Sequence, residues 1–197
     1  ERLRDGGSFT TRRVTAIQHG RPIFNASLSF HRLEEGYSHQ DEAPEVPAPS
    51  ELVSETLLAR AIADQIPEPL RTAVTRDRPI DFHPVDPINP LAPTVRPAQQ
   101  ATWLKATSSL PDDSAIHQAI LAYASDWGLL ATALLPHGRS VFEPGIQAAS
   151  LDHAMWFHRP FRADDWLLYA MEAPSAFGAR GFTRGQAFNA AGTLVAS

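Results

Sequence analysis

The chain has no cysteine among its 197 residues. Disulfides, thiolate nucleophiles and cysteine-ligated metals are therefore excluded, although the compartment is not fixed by that absence. Lysine is almost missing too, with Lys105 alone against sixteen arginines. Arginine suits bidentate phosphate recognition, but a biased genomic composition accounts for the imbalance equally well. Positive charge is in deficit overall, at a formal net −5. No basic stripe is available to neutralise a phosphate backbone, which argues against nucleic acid as a partner. No uninterrupted apolar run approaches the roughly 18 residues of a membrane span, and no signal peptide opens the chain. A soluble, cytoplasmic protein of one domain or two small ones is the expectation.

What the chain does have is proline in its middle: 11 of its 17 prolines lie between Pro44 and Pro97. Proline lacks an N–H and resists helix and sheet interiors, so residues 33–76 read as a connector. One helix is expected inside it, roughly Ser54 to Gln65. Leu58, Ile62 and Ile66 recur four apart there, and Pro67 with Pro69 end the pattern. Such a connector should lie along a surface and not hang as a loose tether.

A weak repeat flanks the connector. At an offset of 168, Phe9, Arg12, Thr15 and Gln18 fall on Phe177, Arg180, Thr183 and Gln186. Both copies then pass a glycine turn into an apolar run. The first unit, residues 1–32, offers strands at Arg2–Arg4, Thr10–Gln18 and Ile23–Phe30. The second, residues 77–197, offers strands at Ile80–His83, Thr102–Ala106, Met155–His158, Trp166–Met171, Arg180–Phe188 and Thr193–Ala196. Between them Pro111-Asp-Asp-Ser114 opens a long helix whose apolar stripe is Ile116, Ile120, Tyr123, Trp127, Leu130 and Leu134. On that wheel Asp126 sits at the stripe's edge, where partial desolvation would make it a better base than a solvated carboxylate. A boundary charge reaching into water fits the periodicity as well. On Arg180–Phe188 one face holds only Gly181, Thr183, Gly185 and Ala187, small enough to admit a helix or second sheet.

The densest chemistry lies in Ser150-Leu-Asp-His-Ala-Met-Trp-Phe-His-Arg-Pro-Phe161. This stretch resembles the signature of the type II acyl-CoA thioesterases. Asp126 in Tyr-Ala-Ser-Asp, His137-Gly138 and Glu143-Pro-Gly-Ile-Gln147 follow the same family's order, and the likeness runs from Glu1 to Ser197. The resemblance implies an α+β protein of double hot-dog fold, each unit an antiparallel sheet wrapped around a long central helix. It also implies a first unit truncated at its N-terminus, since the family carries that unit's helix before the point matching Glu1.

The same resemblance gives functional expectations. The activity would be hydrolysis of fatty acyl-CoA to free acid and CoA, in fatty-acid metabolism. Asp126 would polarise the attacking water and Ser150 would hydrogen-bond in the active site. A third partner, Gln, stands in the family three residues beyond Leu-Val-Ala-Ser197. In the first unit Phe30 falls where that Gln would be, so one active site per double unit is expected. Arg159, Arg180 and Arg184, with Arg162, are candidates for the CoA phosphates. Asp152, His153 and His158 match no zinc spacing, so no metal is expected, and the hydrolysis that the resemblance implies needs no cofactor. Asp152 and His153 are read as fixing a loop through side-chain to backbone bonds, with Trp156 and Phe157 in the core. A homo-oligomer is the expected assembly. Two alternatives stand beside hydrolysis: a hot-dog hydratase or dehydratase with His117 or His153 as base, and a non-catalytic acyl-CoA-binding module.

Overall fold

A computed structural model describes residues 1–68 and 70–197, divided into two compact units, Glu1–His39 and Gln40–Ser197. Pro69, expected to help end the connector helix, lies outside the described residues. In the first unit β1 (Arg2–Asp5), β2 (Phe9–Gln18) and β3 (Arg21–His31) form an antiparallel meander. Alternation along β3 sends Phe24, Ala26, Leu28 and Phe30 to one face, and the three large side chains among them are exposed.

The second unit is a five-stranded antiparallel sheet in chain order. Its strands are β4 (Ile80–Pro84), β5 (Gln99–Ala106), β6 (Leu167–Phe177), β7 (Arg180–Asn189) and β8 (Leu194–Ala196). The repeat is visible as two hairpins, β2–β3 closing at Gly20 and β7–β8 at Gly192. Period-two alternation divides the sheet's apolar residues between two faces. One face carries Phe82, Leu104, Leu167, Tyr169, Met171 and Val195, packed on Leu121 and Ala124 of α3 (Ser114–Ala124). The other carries Trp103, Leu168, Phe188 and Leu194.

That second face is covered by the proline-rich segment. Ala43, Val46 and Leu52 pack on it, and Trp103 donates its indole N–H to the Pro47 carbonyl at 2.9 Å. Gln40 donates to the Gly192 carbonyl at 2.8 Å. Proline suits a strap of this kind, because it has no N–H to satisfy while its carbonyl still accepts. Further on, Ser54 caps α1 (Glu55–Ala61), which tightens into a 3-10 turn at Ala63–Gln65; α2 (Leu70–Thr75) follows. The single helix expected over Ser54–Gln65 is thus shorter. It ends because Ile62 leaves helical geometry at φ −116°, ψ 20°.

The long helix expected from Ser114 is present with one interruption, while its apolar stripe needs correction. α3 ends at Ala124, residues 125–128 form a turn, and α4 (Leu129–Leu134) resumes. Gly128, at φ +93°, makes the break, a conformation that a side chain disfavours. The apolar stripe is not the buried face. Tyr123, Trp127 and Leu130 are exposed, whereas His117, Leu121, Ala124, Thr132, Ala133 and Leu135 are buried. The sheet presents large groups (Phe82, Tyr169, Met171), so close packing selects the helix face with the small side chains. Gly181 takes this furthest, since a Cβ there would lie 2.8 Å from that of Ala133. Ser114–His137 has the length and composition of a membrane span, but it is interrupted at residues 125–128 and packs Leu121 and Ala124 on the sheet.

Candidate active site

The break in the helix is where Asp126 sits, in the turn and exposed, and not on a helical turn as expected. The residues either side of it are fixed. Ser125 is buried, and its carbonyl accepts from the Tyr169 hydroxyl at 3.0 Å. Trp127 donates its indole N–H to Glu55 at 3.0 Å, and the Arg78 guanidinium lies 4.3 Å over its ring. The Gly128 carbonyl accepts from Gln100 at 2.8 Å. Among the described residues nothing hydrogen-bonds to the Asp126 carboxylate. Its charge reaches the Tyr169 phenol: burial first, then Asp126, push that hydroxyl's pKa above its usual value.

Ser150 is also exposed, in an irregular segment. The strand expected at Met155–His158 is reduced to one bridge, Phe157 with Ala196, which adds the segment antiparallel to β8. Trp156 and Ser197 exchange both backbone bonds, at 2.7 and 3.0 Å. Trp156 and Phe157 are exposed and do not join the core as expected, because the bridge lies at the sheet's edge.

Asp126 and Ser150 share no hydrogen bond, but their segments are joined. Ser125 Oγ lies 3.0 Å from His153 Nε2 and 3.0 Å from the Ala122 carbonyl. The carbonyl can only accept, so the hydroxyl proton goes there and His153 donates to Ser125. His153 therefore fixes its loop through a side chain, not through backbone bonds as expected. Ser125 and Asp152–Trp156 line a cleft of about 930 Å³ that also includes Gln100, Tyr169, Met171 and Ser197. That volume lies within the range of small-ligand sites.

The other candidates have structural engagements. Arg162 forks onto Asp164 at 3.0 and 3.0 Å, and its hydrogen bonds, with that from the Leu110 N–H, hold the Asp164 carboxyl down to about 2. Arg184 pairs with Glu172, and Arg159 donates to the Leu194 carbonyl at 2.9 Å. Arg180 is exposed at the β6–β7 turn with no ion pair among the described residues. His158 contacts Ser197 Oγ at 2.9 Å; burial, then the Arg159 charge, lowers its pKa from the usual 6.5. His117 is 2% exposed and accepts the Ala163 N–H at Nδ1, so it offers no base to a ligand. Sequence reasoning missed Ser125, Gln100 and Tyr169. Gly128, a helix-stop signal four residues before Thr132, was the available clue.

An antiparallel sheet backed by a helix is shared with solved hot-dog proteins, thioesterases among them. Acyl-CoA thioesterase II TesB2 from Mycobacterium marinum superposes with a TM-score of 0.78 at 42% identity, over 100% of this chain and 68% of that one. A hot-dog protein of unknown function from Alicyclobacillus acidocaldarius matches in fold alone, with a TM-score of 0.71 at 17% identity, over 100% of this chain and 67% of that one. In sequence, acyl-CoA thioesterase 2 of Haemophilus influenzae is 39% identical over 197 residues, 100% of this chain and 69% of the relative. Human acyl-coenzyme A thioesterase 8 is 39% identical over 205 residues, covering 99% of this chain and 63% of the human protein. The family model for acyl-CoA thioesterase matches residues 70–197. The chain belongs to the acyl-CoA thioesterase family.

Proposed function

We propose that the protein hydrolyses fatty acyl-CoA to free acid and CoA through Asp126 and Ser150. Asp126 takes a proton from water as its oxygen bonds to the thioester carbon, and Ser150 orients that water. The tetrahedral intermediate then breaks its C–S bond, and the CoA sulfur takes the proton that Asp126 received and leaves as thiol. The supporting observation is the Ser125–His153 contact, one residue from Asp126 and three from Ser150, whose two residues line the cleft while Asp126 and Ser150 stand beside the lining residues in sequence.

Arg180 is the CoA-phosphate candidate with its charge uncommitted, and Arg159 and Arg184 would act from their present bonds. A homo-oligomer in the cytoplasm completes the proposal. Incubation with a saturated acyl-CoA should release one thiol per acid formed. An enoyl-CoA that gains water while its thioester survives would instead indicate a hydratase, and bound acyl-CoA with no thiol a binding module.

A further inference from the structure

We infer that Tyr169 and Gln100 are positioning residues for Asp126, holding the two carbonyls that bracket its turn. The inference rests on the proposed role of Asp126 and extends it to the sheet beneath. A helix that stops leaves its last carbonyls without intrahelical donors, and buried carbonyls without partners are costly. For the Ser125 carbonyl the sheet supplies the donor, and at Gly128, whose carbonyl opens the next helix, it adds one. Tyr169, 4% exposed on β6, donates to the Ser125 carbonyl at 3.0 Å, and that carbonyl belongs to the peptide whose N–H is Asp126's own. Gln100, on the neighbouring strand β5, donates at 2.8 Å to the Gly128 carbonyl, which also accepts the Thr132 N–H at 3.0 Å and hydroxyl at 2.9 Å, and donates to Thr132 Oγ1 at 2.6 Å. One bond fixes the peptide plane entering Asp126, and the other fixes the turn two residues later.

The surroundings are shaped to keep these donors in place. Gly185 on β7 lies under the Tyr169 ring, where a Cβ would come within 2.3 Å of the ring and of its hydroxyl. A Cβ on Gly128 would meet Met171 Sδ at 2.9 Å. Glycine at both positions lets the turn settle onto the sheet. The raised pKa of Tyr169 keeps its proton available for donation across the working pH range. The aspartate itself is left without a hydrogen-bonding side chain, so its orientation is set by the backbone that these two residues hold.

Tyr169→Phe removes the hydroxyl and keeps the ring's packing. The expected result is a kcat for acyl-CoA hydrolysis about 10- to 100-fold lower with KM within about twofold, because an interaction needed for the transition state is lost while binding persists. A merely structural role is separated by a double-mutant cycle. In an Asp126→Asn background, Tyr169→Phe should lower the residual rate by less than about twofold, because there is no base left to position. Gln100→Met provides the second variant and should behave in the same way. Unchanged kcat in both variants, or full multiplicative losses in the Asp126→Asn background, would overturn the inference. A wild-type rate in Asp126→Asn alone would instead remove the role of Asp126 on which it rests.

Discussion

Asp126→Asn is expected to lower kcat for acyl-CoA hydrolysis by about 10²- to 10⁴-fold, the usual contribution of a general base. Asparagine keeps the shape of the side chain and loses its basicity. The fold should not change, because nothing in the turn depends on the carboxylate. Tyr169 and Gln100 hold the backbone on the sheet side, and Trp127 is held separately by Glu55 and Arg78. Thermal unfolding should therefore match the parent while thiol release falls. If the rate falls together with the melting temperature, a structural role for Asp126 replaces the catalytic one.

Phe188→Ala should have the largest effect on stability, costing about 3–5 kcal/mol by denaturant titration. Phe188 is 0% exposed and sits with Trp103, Leu168 and Leu194 on the sheet face opposite the helix. The strap residues Ala43, Val46 and Leu52 close over that cluster, and proline-rich backbone has little freedom to collapse into a cavity. The loss should accordingly lie at the upper end of the range. A cost below about 1.5 kcal/mol would mean that the strap does not seal this face.

Alternation and turn residues made the strands legible. Ile80–His83 and Arg180–Phe188 announced themselves by period two, and the small residues of β7 left room for a helix or a second sheet, of which the structure has the helix. The helix break was harder to read. A stripe of Ile116, Ile120, Tyr123 and Trp127 satisfies helical periodicity, yet volume decides which face is buried, and volume depends on the opposing sheet. The strap was recognised as surface-following but not as a cover for half the core, since that requires knowing where Trp103 and Phe188 point. At the site, the roles of Asp126 and Ser150 came from the family resemblance, while the helical wheel had set the Asp on a helix. The contacts that organise them are long-range: Ser125 with His153, Tyr169 with the Ser125 carbonyl, Gln100 with the Gly128 carbonyl. Pairings separated by tens of residues have no local signature, and each of these side chains taken alone reads as an ordinary polar residue.

The convergence of Asp126 and Ser150 on one water is tested most directly by a crystal structure of the protein with a thioether analogue of acyl-CoA, which cannot be hydrolysed. The predicted result is a water within about 3 Å of both the Asp126 carboxylate and the Ser150 hydroxyl, facing the carbon that takes the thioester's place. An analogue seated in the cleft with those two oxygens on different sides of it, and no water shared between them, would contradict the account.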